Sequence, residues 1–217
     1  MVNPIDTFWK IKLEPVKEAL ESNNFEVFIA DNSAQASKIV LEKIIPSLDI
    51  KSISWGGSIT FIGTGLYDTL KDQKNFNVLD IHNKSLSNDE KTQMRREALL
   101  TDFFITGTNA VTENGYLVNL DMIGNRVGAL TFGPKNVLVI TGRNKIVPDI
   151  ESAMERIKDF VAPANAMRLD MKTPCVKTGF CSECKSSARI CNTWTITQKS
   201  FPKKRIKILL INEDLGL

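Results

Sequence analysis

The first 174 of the 217 residues contain no cysteine, and the whole chain has one histidine, His82. The first absence denies most of the chain any disulfide or thiolate site. The second leaves no Ser-His-Asp set that a spacing argument could assemble, and His82, just past a predicted strand, reads as an exposed loop residue. No apolar run approaches the roughly 20 residues that span a bilayer, and no polybasic amphipathic anchor occurs. No Rossmann fingerprint follows the early strands: Gly63-Thr64-Gly65 falls inside a predicted helix, which argues against a nicotinamide dehydrogenase. The opening MVNPIDTFWK carries no apolar signal segment, so a cytoplasmic protein is expected. Charge imbalance is also small, with a net charge of +3 and a pI near 8.6. The one basic run, Lys203, Lys204, Arg205 and Lys207, is interleaved with the apolar residues of a final strand. It reads as a solvated edge and not as a nucleic-acid surface.

What is present is enough for a full core, since 42% of residues are apolar. Ile5, Phe8, Trp9, Leu13, Val16 and Leu20 recur at helical spacing over 5–23, and a strand follows at Phe25–Ala30. Asp31, Asn32 and Ser33 offer caps to a helix over about 34–45. A strand at Ser52–Trp55, a helix from Ile59 to about Lys71 and a strand at Asn77–Ile81 continue the alternation. Ser87 and Glu90 form a capping box opening a helix to about Leu100, and Asp102–Gly107 returns as a strand. This βαβ rhythm predicts an α/β fold, a mainly parallel sheet flanked by helices. Beyond residue 105 the strands shorten. Asn114-Gly115 supplies the turn of a hairpin between Ala110–Val111 and Tyr116–Leu120. Val137–Thr141 reads as a buried strand, Pro148 as the start of a helix to about Val161, and Ile206–Asn212 as the last strand. No linker, repeat or low-complexity stretch divides the chain.

Cys175, Cys181, Cys184 and Cys191 are confined to TPCVKTGFCSECKSSARIC. A CxxC pair can chelate from one turn and the outer two thiols can close the sphere, so a thiolate-bound metal or iron–sulfur cluster is the first reading. Redox or structural thiols come second. Disulfides come last, because an oxidising compartment is not indicated. The spacing matches neither a standard zinc finger nor the bacterial ferredoxin run, so zinc and iron–sulfur both stay open.

Three further constellations could carry chemistry. Gly56-Gly57-Ser58-Ile59-Thr60 joins a strand to a helix, where two glycines admit a ligand to the backbone and the helix start offers N–H groups to an anion. Ser58 serves equally well as a plain N-cap. Gly124-Asn125-Arg126 and Gly142-Arg143-Asn144-Lys145 place Arg126, Arg143 and Lys145 in Gly-rich loops suited to clamping carboxylate or phosphate. Thr112-Glu113-Asn114-Gly115 offers Glu113 as a carboxylate, or as a turn cap.

The stretches WGGSITFIGTGL, TGTNAVTENGYLVNLDMIGNRVGALTFGPKNVLVITGRNKIV and TPCVKTGFCSECKSSARICN resemble the lactate-utilisation (LUD) domain family, in its short form with a C-terminal cysteine segment. The likeness runs from the first helix to Leu217. It implies a fold related to the sugar-phosphate isomerase and CoA-transferase superfamily, with a ligand cleft at loops after strands. Residues 1–217 would form one such domain, with 172–192 as an inserted cysteine-rich metal-binding segment. It further implies a link to L-lactate oxidation beside iron–sulfur partner subunits, with a small anionic metabolite as ligand and self-association open. Glu113 resembles the glutamate nucleophile of CoA transferases, although such chemistry is not a property of the whole family. The Gly56-Gly57-Ser58 loop, with Asn119, Asp121, Asn125 and Arg126, would line the cleft, Asp121 alternatively fixing the turn at Met122–Gly124. A thiol- or metal-dependent regulatory role is a further alternative.

Overall fold

The computed structural model describes residues 3–217. Helix α1 (Pro4–Ser22) is capped by the Asn3 side chain and leads into β1 (Glu26–Ala30). Helix α2 (Ser33–Ile39) starts on an Asn32 cap and runs into a π-helical turn, Val40–Ile44, ahead of Pro46. Strand β2 (Ser52–Trp55) is followed by α3 (Ile59–Gly63) and α4 (Leu66–Leu70). The sequence predicts one helix here. Gly65 breaks it, at φ +75°, a left-handed conformation that costs glycine nothing. Strand β3 (Asn77–Leu79), α5 (Asn88–Glu97) with the expected capping box, and β4 (Phe103–Gly107) follow.

The hairpin of β5 (Ala110–Thr112) and β6 (Leu117–Asp121) turns at Gly115, φ +76°. Helix α6 (Asn125–Thr131), β7 (Asn136–Gly142) and the short β8 (Ile146–Val147) lead to α7 (Ile150–Arg156). Asp149, not Pro148, caps α7. The chain stays helical through a π-helical turn, Ile157–Val161, into α8 (Ala162–Arg168), seven residues past the expected end. The cysteine segment holds one helical turn, α9 (Cys175–Thr178), before β9 (Thr193–Thr197) and β10 (Ile206–Ile211).

Six parallel strands form the main sheet in the order β1-β10-β7-β4-β2-β3, and β8-β5-β6-β9 form a second, smaller sheet. The central strands are buried on both faces, as in a parallel sheet covered by helices. Leu138, Ile140, Leu209 and Ile211 pack with Phe61, Leu66 and Val40 on one face. Val137, Val139, Ile208 and Leu210 pack with Leu13, Val16 and Leu20 of α1 and Leu130 of α6 on the other. The apolar stripe expected along all of α1 is divided: Leu13, Val16 and Leu20 are buried, whereas Ile5 and Phe8 face solvent. A third cluster joins Ala110, Val118 and Leu120 of the small sheet to Ala153, Ile157 and Val161.

The basic run is a solvated edge only in part: Lys203 and Lys204 are exposed, but β10 lies between β1 and β7 and takes Lys207 into the interior. Lys207 is 3% exposed, with Nζ 3.5 Å from Glu26 Oε2 and donating to Asn136 Oδ1 at 3.1 Å. Arg205 donates to the carbonyls of Ala129, Leu130 and Pro134, closing the C-terminal end of α6. Among the described residues no helix is long and apolar enough to cross a membrane.

Candidate functional site

A cleft of about 300 Å³ opens beyond the carboxyl ends of β2, β3, β4 and β7, where ligands bind in open parallel sheets. The β2 exit contributes Gly57 and Ser58, the β4 exit Gly107, Thr108 and Asn109, and the turn after β7 contributes Lys145. The second sheet and α6 add Asp121, Asn125 and Arg126, so the sequence-predicted loops meet around one space.

The glycines are there for close approach. A Cβ on Gly56 would lie 3.0 Å from Thr106 Oγ1 and 3.3 Å from Arg126 Cγ, and one on Gly107 would lie 2.6 Å from Ser58 Oγ. Gly57 faces open space. Ser58 caps α3, its Oγ accepting from Phe61 N at 3.1 Å, so its capping and its place on the cleft wall coexist.

Arg126 is the keystone of the wall. One terminal nitrogen donates to Asn119 Oδ1 at 2.5 Å and to the Gly107 carbonyl at 3.2 Å. The other donates to Asn109 Oδ1 at 3.0 Å and to the Leu120 carbonyl at 3.2 Å. Asp121 stands 3.7 Å from its Nε and accepts from Met122 N and Val127 N, fixing the turn into α6. Burial lowers the pKa of Arg126, with Asp121 opposing that shift. Asn119 is fully buried and tied to Arg126 and Asn109, which makes it a support beneath the wall.

Lys145 differs. It is 5% exposed, its Nζ donates to Thr60 Oγ1 at 2.9 Å and to the Thr108 carbonyl at 3.3 Å, and no carboxylate pairs with it among the described residues. Desolvation, with Arg156 and Arg126 nearby, lowers its pKa from 10.5 to about 7. Thr60 thus touches the site through Lys145, its own hydroxyl donating to the Leu215 carbonyl at 3.2 Å.

Two sequence-predicted residues are not brought here. Arg143 turns away, donating to Asp6 at 2.8 Å and Asp214 at 3.1 Å, so it ties α1 to the segment after β10. Glu113 sits at the hairpin turn, paired with Lys12 of α1 at 2.8 Å and lining a separate apolar groove beside Phe8 and Pro15. Residues that sequence reasoning passed over complete the cleft: His82, Arg95, Asn165 and Arg168. His82 is not an exposed loop residue. Its ring packs edge-on to Tyr67, its Nε2 is buried with no hydrogen-bond partner, and desolvation lowers its pKa. Asp80 anchors that corner, accepting from Trp55, Tyr67 and the His82 N–H. Among the described residues neither Arg95 nor Arg168 has a carboxylate partner.

The four cysteines are free thiols lining one small cavity beside α8. As placed, no three His, Cys, Asp or Glu side chains among the described residues stand ready to hold a metal ion. The donor set suits a thiolate-bound group in chemistry and in facing one space, with Lys158 Nζ 3.9 Å from Cys181 Sγ. Ile190 lines both this cavity and the cleft, and Asn192 donates to the Met122 carbonyl at 3.0 Å, so the cysteine segment forms part of the cleft's wall.

The family model described as LUD domain matches residues 13–211. A crystal structure of a DUF162 family protein from Deinococcus radiodurans is similar in fold, with a TM-score of 0.53 at 13% identity, covering 94% of this chain and 98% of that one. No curated protein matches this chain.

Proposed function

Since the chain belongs to the LUD domain family, we propose that it is a lactate-utilisation-type protein whose cleft binds a small organic anion, L-lactate being the first to test. One observation carries this reading: among the described residues Lys145 is buried at the cleft with no side-chain carboxylate paired to it, while Asp121, the acidic side chain that lines the wall, is occupied by Arg126 and two backbone N–H groups. An entering carboxylate would supply the missing counter-charge, and Arg95 and Arg168 would draw it in. Cys175, Cys181, Cys184 and Cys191 would hold an iron–sulfur cluster or zinc. Such a group supplies electron transfer or structural closure respectively, and a cluster would suit work beside iron–sulfur partner subunits. The position of Glu113, outside the cleft and paired with Lys12, favours anion binding over transferase chemistry.

Calorimetric titration with L-lactate tests the reading. Binding should weaken as pH rises through about 7, because the ammonium form of Lys145 attracts the anion and is lost there. Lys145→Met should weaken binding at least tenfold, equivalent to ~1.4 kcal/mol, while Glu113→Gln leaves it unchanged. Equal affinity in wild type and Lys145→Met would remove the reading.

A further inference from the structure

Resting on the reading of the cleft as a carboxylate site, this inference concerns the group that would react there. The two buried lysines among the described residues make a contrast. Lys207 has Glu26 beside it at 3.5 Å, the ordinary arrangement for a buried cation. Lys145 has only neutral hydrogen-bond partners, Thr60 Oγ1 and the Thr108 carbonyl, and the guanidiniums of Arg156 from α7 and Arg126 from α6 repel an ammonium there. Both guanidiniums are fixed, Arg126 as described and Arg156 by the carbonyls of Asn144 and Asn109, so neither can turn away. Among the described residues the other ionisable side chains lining the cleft are His82, Arg95, Arg168 and Asp121, the last held by Arg126, and Leu217 stands on the same wall.

A neutral amine has two N–H bonds and one lone pair. Two oxygens accept from Lys145, which matches the two N–H bonds of the free amine and leaves the lone pair uncommitted. Desolvation beside like charge is how a lysine is kept as a nucleophile.

We propose that Lys145 is the nucleophile of an imine-forming site for small 2-oxo acids, with the cationic cleft holding the carboxylate. The amine lone pair attacks the C2 carbonyl carbon, the carbonyl π pair moves to oxygen, and that oxygen takes one of the two nitrogen protons. The resulting carbinolamine loses its hydroxyl together with the second nitrogen proton as water while nitrogen forms the double bond to carbon, so amine plus carbonyl gives imine plus water, with no oxidant or reductant required. A 2-hydroxy acid shares the carboxylate but has no carbonyl, and occupies the same cleft without reacting.

The test is reductive trapping. The full-length protein is incubated with pyruvate and cyanoborohydride, digested and mapped by mass spectrometry, with pyruvate affinity measured in parallel by calorimetry. The expected result is one secondary-amine adduct on Lys145, suppressed by L-lactate. At saturating pyruvate its yield should rise with pH through about 7 while affinity falls, since bond formation needs the free amine and anion attraction the ammonium. Lys145→Arg should lose the adduct, with its melting temperature reporting whether it folds, while Glu113→Gln, outside the cleft, should keep it. Pyruvate bound without an adduct, or adducts spread over exposed lysines, would overturn the inference and leave the anion-binding reading standing. Absence of binding by both pyruvate and L-lactate would remove both.

Discussion

Arg126 and Lys145 are buried cations on the same cleft with opposite surroundings. Arg126 spends its donors on carbonyl and amide oxygens that fix the wall, and Lys145 donates to two neutral oxygens with no carboxylate beside it among the described residues. Both were legible in the sequence because each stands two or three residues past a glycine in a stretch that follows a strand. Arg143, in the same string as Lys145, was legible only as a cation. Its fate is set by Asp6 and Asp214, which are remote in sequence and announced by no local pattern. Glu113 was diverted by Lys12 in the same way. Arg95 and Arg168 gave no signal, since a charged residue on a polar helix or loop is usually solvated, and His82 was set aside as an exposed loop residue for the same reason. Asp102 shows how much one such residue can hold. It accepts from the Lys51 and Ser52 N–H groups, the Ser52 hydroxyl and Lys135, tying the start of β2 to β4, and these bonds lower its pKa from 3.8 to about 2. Asp102→Asn should cost ~1.5–3 kcal/mol near neutral pH in denaturant unfolding. A depressed carboxylate stabilises above its unfolded pKa and loses that contribution as pH falls through the folded one. The deficit should therefore shrink below pH 3.8 and vanish near 2.

Among the elements, the first strands and helices followed the sequence closely, because each apolar run was bounded by caps: Asn32, Ser58 and the Ser87–Glu90 box all act as expected. Helix α6 was missed because Gly124-Asn125-Arg126 reads as a loop. Its start is organised by Asp121 from the preceding strand, and Arg205 from far along the chain closes its end. Strand β9 was missed because Thr193–Thr197 is half-exposed and exists only by pairing with β6. The hairpin was read correctly, but Asn-Gly does more than turn it: a Cβ on Gly115 would lie 2.7 Å from the backbone of Ala19 in α1. Gly115→Ala should cost ~2 kcal/mol or more, from left-handed backbone strain and a forced separation of α1 from the small sheet. Thermal melts would check this, with Gly57→Ala, in open space, as the contrasting variant.

At the scale of the whole molecule, buried apolar strands alternating with capped helices revealed a parallel α/β fold. Strand order was hidden, since pairing depends on contacts between residues far apart in sequence. The cysteine segment was legible as a unit, but its position against the cleft was not. Purified without oxygen, the protein should carry iron with sulfide, or stoichiometric zinc, and Cys181→Ser/Cys184→Ser should lose it; metal-free wild type by absorption and elemental analysis would leave the thiols as redox or packing groups. The place of β10 bears on how the chain is made. Strand β1 pairs only with β10, and Glu26 meets Lys207. Synthesis proceeds from the N-terminus, so β1 leaves the ribosome before every other strand of the sheet and waits, its sheet edges unsatisfied, until β10 has emerged. The main sheet is then completed from its middle, by the last strand to arrive between two others already made.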